Sequence, residues 1–89
     1  MKVEYLDLRD KRALVSGGAS GIGSSIVEHL SEQGVEVYFF DINKKEAKKT
    51  LNRIKKKKFK IPTFVECNIK NIKKYKSSIF NIIKKKGPI

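Results

Sequence analysis

"RALVSGGASGIG", residues 12–23, joins a short apolar run to a stretch that holds four of the chain's six glycines within residues 16–23. Glycine loses more backbone freedom on folding than any other residue, so such a concentration needs a conformational reason. The run 12–16 has no proline or glycine inside it and suits a buried parallel strand. After the glycines, Ile22, Ile26, Val27 and Leu30 recur at helical spacing, and Gly34 stands where a left-handed residue closes a helix. A strand that ends in a glycine loop and enters a helix is built to hold a phosphate. The first helical turn has unsatisfied N–H groups and the positive end of the dipole, and both favour a pyrophosphate. Three glycines then have separate tasks: Gly17 for the sharp turn, Gly21 for close approach of the ligand, Gly23 for close packing of helix on strand. A plain strand–helix turn needs only one.

The spacing is G-x-x-x-G-x-G from Gly17 to Gly23, not the six-residue G-x-G-x-x-G. A P-loop is excluded, because Gly23 is followed by Ser24 and Ser25 with no lysine. "VEVYFFD", 35–41, is β-branched and aromatic and reads as a second strand. It ends on Asp41, eighteen residues past Gly23, where a carboxylate can accept from the adenosine ribose hydroxyls. "NKKEAKKTLNRIKKKK", 43–58, opens like a capping box, with Asn43 three residues before Glu46. Ala47, Leu51 and Ile54 give it one apolar stripe, and lysines 55–58 close it at the carbonyl end of the dipole. "TFVEC", 63–67, follows Pro62 as a third strand. "NIKKYKSSIFNIIKKKG", 71–87, places Ile72, Tyr75, Ile79, Ile82 and Ile83 on one helical face. The order β-α-β-α-β-α predicts an α/β fold: a Rossmann-type parallel sheet with flanking helices and right-handed crossovers, one domain over 1–89, stopping before a fourth strand. In the doubly wound order the first strand would pair with that fourth strand. Residues 12–16 are therefore expected to present an open edge prone to self-association.

The formal charge of +12 is unevenly placed. Residues 1–41 hold four basic and seven acidic side chains; residues 42–89 hold seventeen basic and two acidic. Only three of the 21 basic residues are arginine, whose planar fork suits phosphate and guanine, and the aromatics do not interleave with the lysines as a base-stacking surface requires. The lysines read as solvated faces, and no specific nucleic-acid partner is expected. One cysteine, Cys67, excludes an internal disulfide, and the mixed charges of "MKVEYLDLRDKR" exclude an export signal. No apolar run is long enough to span a bilayer. The expectation is a cytoplasmic protein with no membrane partner.

"KRALVSGGASGIG" closely resembles the opening of the short-chain dehydrogenases/reductases, whose signature is Thr-Gly-x-x-x-Gly-x-Gly, with Ser16 in place of the threonine. The resemblance continues through "SEQGVEVYFFDIN" and "TFVECNIK" and runs from Leu8 to Ile89. It implies an oxidoreductase that transfers hydride between a nicotinamide and a carbonyl or alcohol carbon. It also implies cofactor contacts from Gly17, Ser20, Gly21, Ile22, Gly23, Asp41 and Asn68. Asn68 stands where the family has an adenine-contacting aspartate; it keeps a polar side chain and loses the charge. Asp41, with no cation in the glycine loop and Ile42 after it, points to NAD rather than NADP.

The family's catalytic set is a tyrosine with a lysine four residues on, a serine and an asparagine. A tyrosine near pKa 10 works at neutral pH only beside a cation that stabilises its phenolate. Tyr5 is followed four on by Arg9, Tyr38 by Ile42 and Tyr75 by Ile79, so none fits. No catalytic residue is assigned, and one His with one Cys makes no metal site. The chain reads as the N-terminal, dinucleotide-binding portion of such an enzyme, inactive alone and meeting a small-molecule substrate only when a catalytic half is supplied. Two readings stand beside this: a dinucleotide-binding module without chemistry, and a basic nucleic-acid-associated protein on a borrowed fold.

Overall fold

A computed structural model of the chain describes residues 2–5, 12–19, 21–68 and 70–86. Three parallel strands alternate with three helices: β2 (Arg12–Ser16), α1 (Gly21–Glu32), β3 (Glu36–Asp41), α2 (Lys44–Lys56), β4 (Thr63–Glu66) and α3 (Ile72–Lys86). Each lies within about two residues of its sequence-derived position. An additional strand, β1 (Lys2–Tyr5), precedes them. The sheet order is β1-β2-β3-β4.

Both faces of the sheet are covered. Ala13, Val15, Val37 and Phe39 point to one face and pack with Val27 and Leu30 of α1 and Ala47 and Ile54 of α2. Leu14, Tyr38 and Phe40 point to the other, where Tyr75, Ile79 and Ile82 of α3 meet them. This is why the strands read as continuous apolar runs rather than alternating ones. Phe40 meets Tyr75 edge-on at a centroid separation of 5.1 Å, and Phe39 meets Phe64 at 5.3 Å, arrangements favoured by the ring quadrupoles.

The helix ends follow local chemistry. Gly34 has φ +81°, and the N–H groups of Gly34 and Val35 close α1 on the carbonyls of Ser31 and Leu30. Asn43 caps α2, its side chain accepting from the Glu46 N–H at 3.0 Å. The reciprocal half of a capping box does not form, because the Asn43 N–H donates instead to Asp41 Oδ1.

One expectation is overturned. The outer edge of β2 is not open: β1 pairs with it antiparallel, from Lys2 opposite Ser16 to Tyr5 opposite Ala13. Self-association through that edge therefore lacks its surface. "KVEY" is too short to declare itself as a strand, and it gains stability only by pairing with β2 and placing Val3 against the core beneath α1 and α2.

Candidate functional site

The glycine loop, Asp41 and Asn68 all lie at the carboxyl ends of the parallel strands, where ligands bind in open α/β sheets. The Gly17 N–H continues the ladder by donating to the Phe40 carbonyl at 2.7 Å. Gly17 then turns the chain at φ +73°. Gly21 opens α1 at φ +60°, and a Cβ there would meet nothing within 4 Å, so this backbone is open to a ligand. Ile22 is 75% exposed beside it. No acidic side chain lies in the first turn of α1, so the positive end of its dipole is not neutralised locally.

The close-packing role divides differently from the sequence expectation. A Cβ on Gly23 would stand 2.0 Å from the Gly17 carbonyl oxygen, so Gly23 makes room for the loop's own backbone. Contact between helix and strand falls to Gly18, which the signature leaves as a variable position. A Cβ there would stand 2.7 Å from Phe39 Cβ and 2.9 Å from Val27 Cγ2. Ser20 lies outside the described residues.

Asp41 ends β3, and its carboxylate is held from two sides. Oδ2 accepts from the Ala19 N–H at 3.2 Å and Oδ1 from the Asn43 N–H at 3.0 Å. A carboxylate offers about four acceptor sites, so both oxygens retain capacity for a ligand's hydroxyls. Lys44, the nearest cation in sequence, has its Nζ 3.9 Å from Glu66 Oε2. The Cys67 N–H donates to the Asp41 carbonyl at 3.0 Å, which sets Asn68 beside this end of the sheet. Asn68 is exposed, and its Oδ1 accepts from the Lys70 N–H at 3.0 Å, an arrangement that leaves the donor capacity to its side-chain amide nitrogen.

Two anchors escaped the sequence reading. The Thr50 hydroxyl, from α2, donates to the Ala19 carbonyl at 2.8 Å in a buried setting. Arg53 donates from Nη2 to Ser24 Oγ at 2.6 Å and from Nε to Glu28 Oε1 at 2.5 Å. Thr50 was legible only as a polar residue beside an apolar stripe.

Tyr38 is 5% exposed and donates to Glu36 Oε1 at 2.5 Å. Burial, then the hydrogen bond and charge of Glu36, push its pKa up to about 12, the opposite of what proton transfer at neutral pH needs. Tyr75 packs on Phe40. His29, in the last turn of α1, is exposed. Among the described residues no group of three His, Cys, Asp or Glu side chains could hold a metal, and no helix is long and apolar enough to cross a membrane.

A βαβ unit whose first strand runs through a glycine turn into a helix, with an acid ending the next strand, is the arrangement that dinucleotide-binding α/β folds share. The chain belongs to the short-chain dehydrogenase family, whose model matches residues 11–89. That is a family of oxidoreductases that bind a nicotinamide dinucleotide. The chain is 29% identical over 86 residues to "Probable galactose dehydrogenase" of Rhizobium meliloti, spanning 97% of this chain and 34% of that protein. It is 41% identical over 64 residues to a tropinone reductase homolog of Arabidopsis thaliana, spanning 72% of this chain and 24% of that one. A citronellol catabolism dehydrogenase of Pseudomonas aeruginosa superposes with a TM-score of 0.72 at 25% identity, over 81% of this chain and 30% of the other. A metagenomic short-chain oxidoreductase in complex with NADP gives 0.75 at 16% identity, over 83% and 33%, a likeness of fold. The chain thus spans about a quarter to a third of the length of these relatives.

Proposed function

We propose that this chain is the dinucleotide-binding N-terminal portion of a short-chain dehydrogenase and that it takes NAD in preference to NADP. The observation that carries the reading is the Asp41 carboxylate, oriented by two backbone N–H groups at the end of β3. The Gly17–Gly23 turn and the α1 N-terminus would hold the pyrophosphate, with Ile22 and, from the resemblance, Ser20 contributing to that contact. Asp41 would take the ribose hydroxyls, and Asn68 would donate to the adenine edge.

A 2′-phosphate would bring like charge against Asp41. At about 4 Å and an effective dielectric near 20 each such pair costs up to roughly 4 kcal/mol, and even a third of that gives about a tenfold preference for NAD. The nearest cation in sequence, Lys44, is exposed, with its Nζ drawn to within 3.9 Å of Glu66 Oε2.

When bound, the nicotinamide supplies hydride chemistry; the residues of this chain bind and orient it. Without a Tyr-x-x-x-Lys pair in the sequence the chain supplies no proton donor to a substrate oxygen. It is expected to bind dinucleotide without turnover, and to meet a small-molecule substrate only together with a catalytic half. The reading places it in the cytoplasm, with no specific nucleic-acid partner.

The test is a titration of NADH and NADPH into the chain and into Asp41→Asn. A ratio of dissociation constants near ten in favour of NADH, collapsing towards one in the variant, is the expected result. Equal affinities in the unaltered chain, or a ratio unchanged by the substitution, would remove Asp41 as the selector.

A further inference from the structure

Ala19 is pinned at both ends by side chains from two different elements. Its N–H donates to Asp41 on β3, and its carbonyl accepts from Thr50 on α2, 31 residues later in the chain. Thr50 is 1% exposed. A threonine inside a helix ordinarily returns its hydroxyl to a carbonyl of the preceding turn. Here the hydroxyl reaches out of the helix to the glycine loop. One turn further along α2, Arg53 reaches Ser24 in the first turn of α1. One face of α2 thus grips the loop on both sides of Gly21.

We infer that Thr50 is a positioning residue for dinucleotide binding, acting through the Ala19 carbonyl to hold the glycine loop in its binding conformation. The inference rests on the dinucleotide reading above. Its physical basis is the freedom of the loop itself. Gly17, Gly18 and Gly21 surround Ala19, and such a backbone visits many conformations unless something outside it selects one. Gly18 is wedged between Phe39 and Val27, but that contact fixes a position rather than the orientation of the next peptide. Two hydrogen bonds to the two polar groups of Ala19 do fix it. A loop ordered before the ligand arrives loses less entropy on binding, so preorganisation is felt as affinity.

The test compares Thr50→Val with Thr50→Ser in the chain as it stands. Valine keeps the volume and removes the donor; serine keeps the donor. For the folded valine variant the NADH dissociation constant is expected to rise about three- to tenfold, as for one lost hydrogen bond. The NADH-to-NADPH ratio stays unchanged, because Asp41 is intact, and serine restores wild-type affinity. If the valine variant is unfolded by circular dichroism, Thr50→Ala is used in its place, since its smaller side chain lets water reach the Ala19 carbonyl; the same loss is expected. A folded valine or alanine variant that binds NADH as tightly as wild type overturns the inference, and so does a serine variant that fails to recover. Absence of dinucleotide binding by the wild type itself would instead remove the proposed function, and the inference with it.

Discussion

A side chain at position 23 would have to occupy the space of the Gly17 carbonyl oxygen, whereas one at position 21 would meet open space and only backbone strain at φ +60°. The two glycines of one signature therefore make different demands. Gly23→Ala displaces the loop and is expected to lower dinucleotide affinity by tenfold or more. Gly21→Ala leaves the loop in place but carries a left-handed penalty of about 1–2 kcal/mol in stability, and its Cβ would stand in the space kept for the ligand's approach, so affinity falls as well. Thermal unfolding and an NADH titration on both variants separate the cases; a Gly23→Ala variant that binds NADH as tightly as wild type would show that the collision at Gly23 is relieved cheaply. The signature's spacing was legible in the sequence, and Gly17, Gly21 and Gly34 do adopt the positive φ that makes glycine necessary. The division of labour between Gly18 and Gly23 was not, because it depends on where Phe39, Val27 and the Gly17 carbonyl come to rest.

At the scale of elements, α1 and α2 are joined beside the loop by a charged clamp. Glu28 accepts from Arg53 at 2.5 Å and from Lys57 at 3.0 Å. The Arg53 hydrogen bond, then that from Lys57, hold its carboxyl below its ordinary value of 4.5. A lowered folded-state pKa stabilises the fold above the unfolded value, and that contribution is lost as the pH falls through the folded one. Glu28→Gln is thus expected to lower the melting temperature at neutral pH, by an amount worth less than about 1 kcal/mol for so exposed a cluster. The gap between wild type and variant should narrow as the pH falls below about 4.5. A gap independent of pH would assign the effect to packing. Strand and helix positions were legible because period and turn chemistry agree along 12–86. The tertiary partners of Arg53 and Thr50 were not, since a basic or polar residue on a lysine-rich helix looks the same in sequence whether it faces water or a loop.

Over the whole molecule, β1 changes the account most. In the doubly wound order the outer edge of β2 is the place of a fourth parallel strand, and in this structure β1 occupies it in the antiparallel sense. The new outer edge is only four residues long, which discourages further strand addition. Deleting residues 1–5 is expected to expose "RALVS" and make the chain associate more strongly than the intact form. Sedimentation velocity on both forms at one concentration checks this; a monomeric deletion variant would show that β1 does not guard the edge.

The central claim is that dinucleotide binds at the carboxyl ends of the parallel strands, through the glycine loop and Asp41. Backbone amide resonances followed by NMR during an NAD titration test it most directly. The amides of Gly17, Ala19, Gly21, Ile22, Gly23 and Asn43 are expected to shift together and saturate on one binding curve, with lesser changes at Asn68. Shifts confined to the lysine-bearing faces of α2 and α3 and abolished by salt, with the loop amides unmoved, would contradict it.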